Sequence, residues 1–486
     1  MGIGRRGWIH EVLWLNLSVR CIILRVRIVV GGLYMGRPIF HVTPRQNWMN
    51  DPNGFIYYRG EYHLFYQHYP FHPKWGTMHW GHKVSRDLVH WEDLGVALYP
   101  SKAYDRNGCF SGSALEVDGR MQLYYTAIVY DCMNPEDITV SGGGLLASQA
   151  MISSPDGRNF DPADKKLIVP QFDSNDSLPY GDCANVRDPK VWKNGDTYYM
   201  VLGSQHPDEN GKMRGELLFY TSADSINWTF ANVFRSTSIG TQMFECPDLF
   251  QIGEQFVFIT SPFGEEGIAG NYKDHAWYAT GNFDHATCTL QLDSDLQLID
   301  YGMDFYAPQT TTDEAGRRMM IGWLRMPQAC RDASGTPWIG AFTLPRLVEI
   351  RNGHVCFPVH PAIRAAFQTP AETFRANSPS CIRIHAHDGA RLNIGGFAIT
   401  VENGIVKTSR SAVFGDFPNI GTAFETPQIE PSSENAFEDI SLEIYVDDCI
   451  VEVYVNDGEY VISNICYHLT DEFTCQDAEI LEILTL

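Results

Sequence analysis

The sequence lacks a run of apolar residues long enough to cross a membrane. Its most apolar stretch, residues 13–30, is interrupted by Arg20, Arg25 and Arg27, and the unbroken apolar run covers only residues 21–24. A signal-peptide core needs roughly 7–15 apolar residues, and a membrane-spanning helix needs about 20. We therefore predict a protein with no membrane partner, and we expect it in the cytoplasm.

Positive charge is also scarce. The chain has 36 Lys and Arg residues against 59 Asp and Glu residues, which gives a formal net charge of −23. Such a surface repels nucleic acids and anionic membranes, so neither is expected as a partner. A small neutral ligand remains open, as does a charged ligand that meets a local basic pocket.

Cysteine is present but unpatterned. The twelve cysteines form no C-x-x-C pair and have no regular spacing. This indicates free thiols in a reducing compartment and argues against a disulfide framework or a zinc site. His79 and His82 lie in a strand-like stretch, where structural or substrate-lining roles are commoner than metal binding. We predict no metal and no other cofactor.

The first 34 residues differ in composition from the rest of the chain. They are rich in arginine and contain a single acidic residue, Glu11. An amphipathic transit-like leader has this composition. The simpler interpretation is that Met35 is the natural start. Residues 1–34 would then be a poorly ordered extension that the native protein does not carry.

Two patterns recur along the chain, which is rich in strand-favouring aromatic residues. A Ser-x-Asp segment with an aromatic residue four positions after the Asp begins at Ser85, Ser154 and Ser222, at intervals of 69 and 68 residues. The second pattern is a pair of β-rich segments around a Gly-containing turn, which is a strong hairpin signal. These pairs begin at Phe55, Ser113, Lys190, Asp248 and Gln309.

Five hairpins at intervals of roughly 60 to 70 residues predict blades of four strands each, and therefore a five-bladed β-propeller. Loops of unequal length leave four or six blades open. An irregular β-sandwich is the alternative, but the near-equal serine spacing argues against it. We expect the propeller to occupy residues 35–350.

The repeat ends after Trp323. Residues 351–375 contain a short helix-compatible segment, 361–367, and are interpreted as a linker. Strand patterns return without the repeat from about Cys381 onward. The segment that starts at Ile440 alternates apolar and polar residues across an Asn-Asp-Gly turn, which predicts a half-buried antiparallel hairpin. The fold class is therefore all-β: a five-bladed β-propeller followed by a C-terminal β-sandwich at residues 376–486.

Three acidic residues, Asp51, Asp188 and Glu245, directly precede predicted hairpins. The innermost strands of a propeller line its central channel, so these side chains should converge at one mouth of the channel. Repulsion between neighbouring carboxylates should keep at least one protonated near neutrality, as glycosidases require. Each acid could instead be an ordinary turn residue. Ser111 and Tyr306 occupy the matching places in the second and fifth blades.

The predicted propeller contains a series of short motifs: WMNDPNG at residues 48–54, WG at 75–76, MHWGH at 78–82, FSGS at 110–113, RDP at 187–189, ECPD at 245–248 and DFYA at 304–307. The predicted sandwich contains VEVYVNDG at residues 451–458. Together these motifs resemble glycoside hydrolase family 32, which includes invertases, sucrose-6-phosphate hydrolases and fructan hydrolases, and VEVYVNDG looks like the signature of the family's sandwich domain. The likeness extends from about Ile39 to the C-terminus.

The resemblance implies a division of labour among the three acids. Asp51 would be the nucleophile that forms a covalent fructosyl-enzyme, and Glu245 the general acid and base. Asp188 would bind the fructose hydroxyls and favour the oxocarbenium-like transition state. Trp48 would form a wall of the pocket, although an anchoring role in the propeller fits it almost as well. The other positions that the resemblance assigns to the fructose ring are Asn50, Gln67, Trp75, Phe110, Ser111 and Arg187.

The implied reaction releases terminal β-D-fructofuranosyl residues from sucrose or sucrose 6-phosphate. An exo-acting inulin or levan hydrolase, or a fructosyltransferase, is the alternative within the fold. An inverting arabinan-type glycosidase and a catalytically inactive carbohydrate-binding propeller are further alternatives, and intact Asp51 and Glu245 argue against the inactive one.

The leaving group stays open in the sequence. The segment before Thr343 departs from a typical sucrose-6-phosphate hydrolase, whereas GCFSG at residues 108–112 suits that subgroup. A phosphate would need a basic rim, for which Lys83, Arg106 and Arg325 are candidates. The sandwich also offers a second face on which a homodimer could form.

Overall fold

The computed structural model describes residues 33–130, 144–172, 179–236, 239–264, 274–429 and 440–486. Within these ranges the regular secondary structure is almost all β-strand, with one α-helix and one short 3-10 helix, Pro162–Asp164. The strands form a five-bladed propeller and then a β-sandwich, so the predicted fold class is confirmed. Residues 1–32, most of the proposed extension, lie outside the described residues.

Each blade is an antiparallel sheet whose first strand is innermost, and the five inner strands contact one another in a closed ring. A two-residue strand, β1 (Leu33–Tyr34), precedes the blades. The first three blades are β2 (Asn47–Tyr58), β3 (Glu61–Tyr69), β4 (His79–Ser85) and β5 (Glu92–Leu98); β6 (Gly108–Val117), β7 (Arg120–Tyr130), β8 (Leu145–Ser154) and β9 (Lys166–Val169); and β10 (Val186–Asn194), β11 (Thr197–Pro207), β12 (Met213–Ser222) and β13 (Thr229–Arg235).

The last two blades complete the ring. After the fifth blade begins, the chain returns to the first, where Asn47 and Trp338 pair in parallel and close the propeller. The strands of this region are β14 (Met243–Ile252), β15 (Gln255–Phe263), β16 (Trp277–Asp284), β17 (Thr289–Leu292) and β18 (Gln297–Leu298) in the fourth blade; β19 (Phe305–Thr312) and β20 (Arg318–Leu324) in the fifth; β21 (Cys330–Arg331) and β22 (Pro337–Ile339) beside the first; and β23 (Ala341–Phe342) and β24 (Arg346–Leu347) in the fifth.

Turn chemistry explains why the predicted hairpins form. Arg59 and Gly60 join β2 to β3 with φ values of 52° and 84°. A two-residue turn with positive φ at both positions matches the twist of the strands it connects. Asp118 and Gly119 join β6 to β7 in the same way, with φ values of 50° and 72°.

The Ser-x-Asp repeat is a turn that ends the third strand of a blade. Ser85 Oγ donates to Asp87 Oδ1 over 3.0 Å, and that oxygen accepts the backbone N–H of His90 over 2.8 Å. The pairs beginning at Ser154 and Ser222 make the equivalent bonds. The repeat therefore reflects a local hydrogen-bonded turn in the first three blades.

A short segment connects the two domains. It contains the hairpin β25 (Glu349–Arg351) and β26 (His354–Cys356), followed by α1 (Pro361–Ala366). The His360 side chain caps this helix by accepting the backbone N–H of Ala362, and Pro361 opens it. The helix lies where the sequence predicted it. The predicted domain limits, 35–350, 351–375 and 376–486, stay predictions.

The sandwich is built around one long strand, β28. Its first half pairs with β32 and its second half with β29, so β28 belongs to both layers, and β35 follows it along both halves. The strands are β27 (Thr369–Pro370), β28 (Ser380–Ile394), β29 (Phe397–Glu402), β30 (Ile405–Ser409), β31 (Ala423–Glu425), β32 (Ile440–Asp447), β33 (Ile450–Val455), β34 (Tyr460–Ile465) and β35 (Phe473–Thr485).

The prediction of a half-buried hairpin after Ile440 is wrong about the burial. The segment forms β32, β33 and β34, but nearly all of its residues are buried on both faces. Val451 and Val453 pack in the core of the sandwich, whereas Tyr454 packs with the propeller residues. The alternation of residues therefore distinguishes two buried faces. One face lies in the core of the sandwich, and the other is covered by the propeller and not by solvent.

Buried charges join the two domains. His41, just before β2, contacts Asp447 Oδ2 and Glu452 Oε1, each over 3.0 Å. Arg346 at the end of the propeller donates to Glu452 Oε2 over 2.9 Å and to Asp300 Oδ2 over 2.8 Å. Charges this deeply buried require partners. Each domain therefore supplies charged side chains that pair with buried charges of the other domain.

The cysteines are mostly buried in the two cores. The prediction of free thiols is confirmed for Cys109, Cys246, Cys288, Cys330, Cys356, Cys381, Cys449, Cys466 and Cys475.

Candidate active site

Backbone bulges at the start of the inner strands position the predicted acids. In β10, β14 and β19 the pairing register shifts after Arg187, Glu245 and Tyr306, respectively. The next residue has a positive φ in each case and precedes a proline. These residues are Asp188 (φ 64°), Cys246 (φ 46°) and Ala307 (φ 49°). A bulge re-aims side chains relative to a regular strand, here at equivalent places on three neighbouring blades.

Glu245 is held from both sides by the residues at the equivalent positions. Arg187 Nη2 donates to Glu245 Oε1 over 2.6 Å and Nε donates over 3.1 Å. Tyr306 Oη donates to Oε2 over 2.8 Å. Burial and the Glu245 charge raise the pKa of Tyr306 well above its usual range. Burial acts to lower the pKa of Arg187, but the neighbouring carboxylates outweigh it and raise the pKa. Both side chains therefore keep their protons and remain hydrogen-bond donors to Glu245.

Asp51 lies on β2, where Ser111 Oγ donates to its Oδ2 over 2.6 Å and Asn50 Nδ2 to its Oδ1 over 2.9 Å. Trp48 Nε1 donates to Asn50 Oδ1 over 2.6 Å and orients the amide. Burial raises the pKa of Asp51, the two hydrogen bonds oppose this, and the Glu245 charge adds to it. The hydrogen bonds therefore favour the ionised form that a nucleophile needs.

Asp188 is the most deeply buried of the three acids. The backbone N–H of Cys246 donates to its Oδ2 over 2.9 Å. Burial raises the pKa of Asp188 to about 7; Arg187 opposes the rise, and the charges of Glu245 and Asp51 add to it. The expectation that one acid of the cluster keeps its proton near neutrality therefore points to Asp188.

Cys246 connects the three acids. Its backbone N–H binds Asp188, its thiol sulfur lies 3.9 Å from Asp51 Oδ2, and it follows Glu245 in the chain. Burial and the three carboxylates raise the pKa of the thiol well above its usual range. The thiol therefore stays protonated and acts as a small packing residue between the carboxyl groups.

The remaining predicted residues extend this cluster. Gln67 on β3 is buried and donates to the carbonyl of Cys109 over 3.0 Å, next to Phe110 and Ser111. The rings of Trp75 and Phe110 meet edge to face, with centroids 5.7 Å apart. Both aromatic residues are half-buried, so part of each ring is open to a ligand.

The sequence did not identify Trp323 as a candidate site residue. It pairs with Tyr306 across β19 and β20, and its ring lies 6.1 Å from that of Trp48 and 6.4 Å from that of Tyr306. The half-buried ring therefore joins two predicted elements into one aromatic wall. The pairing register of β19 and β20 brings Trp323 to the site, and because a bulge shifts that register after Tyr306, the sequence carried no signal for it.

The three candidates for a basic rim differ in their contacts. Lys83 is bound to Asp93 over 2.9 Å, with little of its side chain exposed. Arg325 donates to the carbonyls of Asp274 and Met303 and stacks over the ring of Tyr306. Arg106 is exposed. Lys83 and Arg325 are thus engaged in holding the fold.

The described ranges bring together no group of three or more His, Cys, Asp or Glu side chains that could hold a metal ion. Nor does a helix in this part of the chain have the length and apolar character of a membrane span.

The fold and the site together define a class of protein. Carboxyl groups with different surroundings, placed side by side in a partly buried pocket, are the arrangement that glycoside hydrolases use. The models described as "Glycosyl hydrolases family 32 N-terminal domain" and "Glycosyl hydrolases family 32 C terminal" match residues 41–358 and 376–480. The chain belongs to glycoside hydrolase family 32.

Individual relatives agree with this assignment. The chain is 40% identical over 332 residues to the sucrose-6-phosphate hydrolase of Zymomonas mobilis, a match covering 66% of this chain but only 62% of that relative. It is 31% identical over 458 residues, 90% of each chain, to the sucrose-6-phosphate hydrolase of Escherichia coli. A mutant GH32 beta-fructofuranosidase of Bombyx mori, solved in complex with sucrose, is 30% identical with a TM-score of 0.73 over 92% of each chain.

Proposed function

We propose that the chain is a retaining glycoside hydrolase that releases terminal β-D-fructofuranosyl residues from sucrose or sucrose 6-phosphate. The observation that carries the proposal is the convergence of Asp51, Asp188 and Glu245 around Cys246 at one end of the propeller channel. The names of the Zymomonas mobilis and Escherichia coli relatives and the sucrose in the Bombyx mori complex support this substrate class.

Asp51 is the nucleophile in this proposal. Its carboxylate attacks the anomeric carbon of the fructosyl unit and forms a covalent fructosyl-enzyme, while the leaving alcohol departs. Its two hydrogen-bond donors, Ser111 and Asn50, hold the carboxylate in one orientation. Ordering the nucleophile before substrate binds lowers the entropic cost of reaching the transition state.

Glu245 is the general acid and base. It protonates the leaving oxygen in the first step and takes a proton from water in the second, so that the fructosyl-enzyme is hydrolysed with net retention. Arg187 and Tyr306 fix its two oxygens in place. These contacts hold the carboxyl in one orientation within the pocket.

Asp188 binds the hydroxyls of the fructosyl ring and stabilises the positive charge that develops on it. With a pKa of about 7, Asp188 is ionised in part of the molecules at neutral pH, and in that form its carboxylate stabilises an oxocarbenium-like transition state more than the neutral substrate. The remaining members of the pocket would surround the ring through hydrogen bonds and aromatic faces. They are Trp48, Asn50, Gln67, Trp75, Phe110, Ser111 and Arg187.

The cellular setting is part of the proposal. Free buried thiols are compatible with a reducing compartment, and we place the enzyme in the cytoplasm. Assembly into a homodimer stays a prediction.

A substrate panel with product analysis tests the function. Sucrose, sucrose 6-phosphate, inulin and levan oligomers are compared by kcat/KM, and the first anomer of fructose released is identified by proton NMR. We expect β-fructofuranose first and sucrose or its 6-phosphate among the best substrates. Preference for inulin or levan would favour the fructan hydrolase, fructosyl oligomers the transferase, and no reaction the inactive binding propeller.

The variants Asp51→Asn and Glu245→Gln complete the test. Both should lose at least about 1,000-fold in kcat while remaining folded, because each removes a group that takes part in bond making or breaking. Normal sucrose hydrolysis by Asp51→Asn would contradict the assignment of the nucleophile.

A further inference from the structure

The backbone of Asp188 is held by a side chain of the preceding blade. Asp188 and Pro189 lie within the register shift of β10, so they leave the regular ladder with β11. A buried amide N–H that leaves a ladder needs another partner. Thr126 on β7 supplies it, since its Oγ1 accepts the N–H of Asp188 over 3.0 Å. Thr126 is fully buried, so it lies behind the pocket and acts on the site through its neighbours.

A second buried side chain orients the threonine. Gln149 on β8 lies opposite Thr126 in the strand register. Thr126 Oγ1 donates to Gln149 Oε1 over 2.8 Å, and Gln149 Nε2 donates to the carbonyl of Val186 over 3.2 Å. A hydroxyl has one proton to donate. Because Gln149 accepts that proton, the lone pairs of Thr126 Oγ1 are left to accept the N–H of Asp188.

These two contacts hold β10 on both sides of Arg187. Gln149 binds the carbonyl before it, and Thr126 binds the N–H after it. The φ of Asp188, 64°, is uncommon for a residue other than glycine, and such a conformation persists where the surroundings fix it. The carboxylate of Asp188 extends from this fixed point, so a small rotation of the backbone would move its oxygen atoms within the site.

The same arrangement recurs at the other two bulges. The N–H of Cys246 in the fourth blade donates to Asp188 Oδ2 of the third blade over 2.9 Å. The N–H of Ala307 in the fifth blade donates to Ser261 Oγ of the fourth blade over 3.0 Å. In each case a polar side chain of one blade binds the bulged amide of the next. Asp188 takes part twice, because Thr126 holds its backbone while its own carboxyl group holds Cys246.

We propose that Thr126 is a positioning residue of the active site, which directs the Asp188 carboxyl group by holding the backbone amide of the same residue. The inference rests on the proposed function, in which that group stabilises the positive charge that develops on the fructosyl ring. A misplacement of about 1 Å can cost such a contact about 100-fold in rate. The transition state carries more of this charge than the bound substrate does, so the effect falls on kcat more than on KM.

Two variants of the full-length protein with opposite defects test this role. Thr126→Val keeps the shape of the side chain and removes the hydroxyl, and it should lower kcat for sucrose about 10- to 100-fold with little change in KM. Thr126→Ser removes a methyl group and keeps the hydroxyl, so its kcat should stay close to that of wild type. A residue that only packs would give the reverse order, because serine leaves a cavity and valine does not.

Thr426→Val is the matched control. Thr426 is a buried threonine of the sandwich domain, and its Oγ1 accepts the backbone N–H of Val406 over 3.1 Å. Its replacement removes the same kind of hydrogen bond in the other domain. Thr426→Val should therefore lower the urea unfolding midpoint about as much as Thr126→Val does, and it should leave kcat and KM for sucrose unchanged.

Thr126→Cys keeps the test decisive if Thr126→Val does not fold. Cysteine places a sulfur atom, a weak hydrogen-bond acceptor, where serine places an oxygen atom. Because the two variants differ in one atom, their comparison isolates the strength of the acceptor. The kcat of Thr126→Cys should be at least about fivefold below that of Thr126→Ser, with both proteins folded by urea unfolding.

The outcomes are distinguishable. A wild-type protein inactive on sucrose, sucrose 6-phosphate, inulin and levan oligomers would overturn the proposed function, and with it the role of Thr126. An active wild type whose kcat is unchanged by Thr126→Val would overturn the role of Thr126 alone. A loss in Thr126→Ser as large as in Thr126→Val, or equal kcat values for Thr126→Ser and Thr126→Cys, would show a packing role and would also overturn the proposal.

Discussion

The phenol oxygen of Tyr306 lies 2.8 Å from Glu245 Oε2 and donates a hydrogen bond to it. The same oxygen lies 3.1 Å from the carbonyl of Ser261, on the strand next to Glu245. Because burial and the Glu245 charge raise its pKa well above the usual range, this hydroxyl stays a hydrogen-bond donor at neutral pH and above. Tyr306 therefore positions the carboxyl group that the proposed mechanism uses as acid and base.

Tyr306→Phe should lower kcat for sucrose by roughly 10- to 100-fold with little change in KM. A hydrogen bond to a charged group contributes about 1.5–3 kcal/mol, and the loss should appear where the carboxyl transfers its proton. The phenylalanine ring keeps the contacts with Trp323 and Arg325, so the thermal unfolding midpoint should change little. Steady-state kinetics and thermal unfolding check both expectations.

A substrate with a better leaving group separates positioning from simple damage. An aryl β-D-fructofuranoside needs little protonation at its leaving oxygen, so Tyr306→Phe should affect its first step much less than that of sucrose. Equal losses on the two substrates would mean that the variant disturbs the pocket as a whole and that Tyr306 does not act through Glu245.

Ser111→Ala should move the acidic limb of the pH–activity profile to higher pH. The Ser111 hydrogen bond lowers the pKa of Asp51 against the effect of burial, so its loss leaves the carboxyl protonated over a wider range of pH. The profile of kcat/KM against pH measures the displacement of the limb.

Ser113→Ala is the control for this shift. Ser113 lies two residues along the same strand, but its hydroxyl donates to the carbonyl of Pro189 over 2.7 Å and not to an acid. Its removal should lower stability without moving the acidic limb. A shift of the same size in both variants would argue against a specific effect of Ser111 on Asp51.

Asp188→Asn should stabilise the protein at neutral pH while abolishing most activity. The folded-state pKa of Asp188, about 7, lies above its usual value of 3.8. The stability that the neutral carboxyl contributes is therefore complete below pH 4 and is lost as the pH rises through 7. The asparagine variant should be more stable than wild type by about 2–4 kcal/mol at pH 8 and nearly equal at pH 4.

Urea unfolding at several pH values measures this difference. The comparison between the two proteins removes the pH dependence that they share. An unchanged difference between pH 4 and pH 8 would mean that Asp188 ionises in the folded protein as it does in the unfolded chain.

The sequence was sufficient for the architecture because hairpin turns and the Ser-x-Asp turn are local. Gly60 and Asp87 act through bonds within a few residues, and their spacing along the chain therefore reports the blades directly. The positions of Asp51, Asp188 and Glu245 on inner strands followed from the same periodicity.

The finer geometry of the site could not be predicted from the sequence, because it depends on pairing between strands and not on local turns. Glu245 aligns with Arg187 and Tyr306, one residue before the position of Asp188, and the bulges that turn these side chains towards one another appear only in the strand register. The acids therefore do not occupy identical repeat positions. Trp323 reaches the site through its pairing with Tyr306, which no sequence spacing reveals.

The domain interface was also beyond sequence reasoning. Arg346 and Arg410 are fully buried, whereas arginine is ordinarily a surface residue. Their partners, Glu452 and Asp304, lie more than a hundred positions away along the chain. Only the three-dimensional arrangement shows that residues from both domains neutralise one another there.

His41 makes this interface sensitive to alkaline pH. Burial acts to lower its pKa, but the hydrogen bonds and charges of Asp447 and Glu452 outweigh it and raise the pKa to about 9. A folded-state pKa above the ordinary 6.5 gives stability that is complete below pH 6.5 and is lost as the pH rises through 9. The wild-type protein should therefore lose about 2–3 kcal/mol between pH 7 and pH 10 from this group.

His41→Gln should remove that dependence. The variant should be about 3–5 kcal/mol less stable than wild type at pH 7, because Asp447 and Glu452 stay buried without their shared cation. The difference should shrink towards pH 10, where the wild-type histidine has also lost its charge. Urea unfolding of both proteins at each pH measures it. The control is His90→Gln, at an exposed contact between His90 and Asp87, and it should match wild type throughout. A difference between wild type and His41→Gln that stays constant from pH 7 to pH 10 would mean that His41 is neutral in the folded protein.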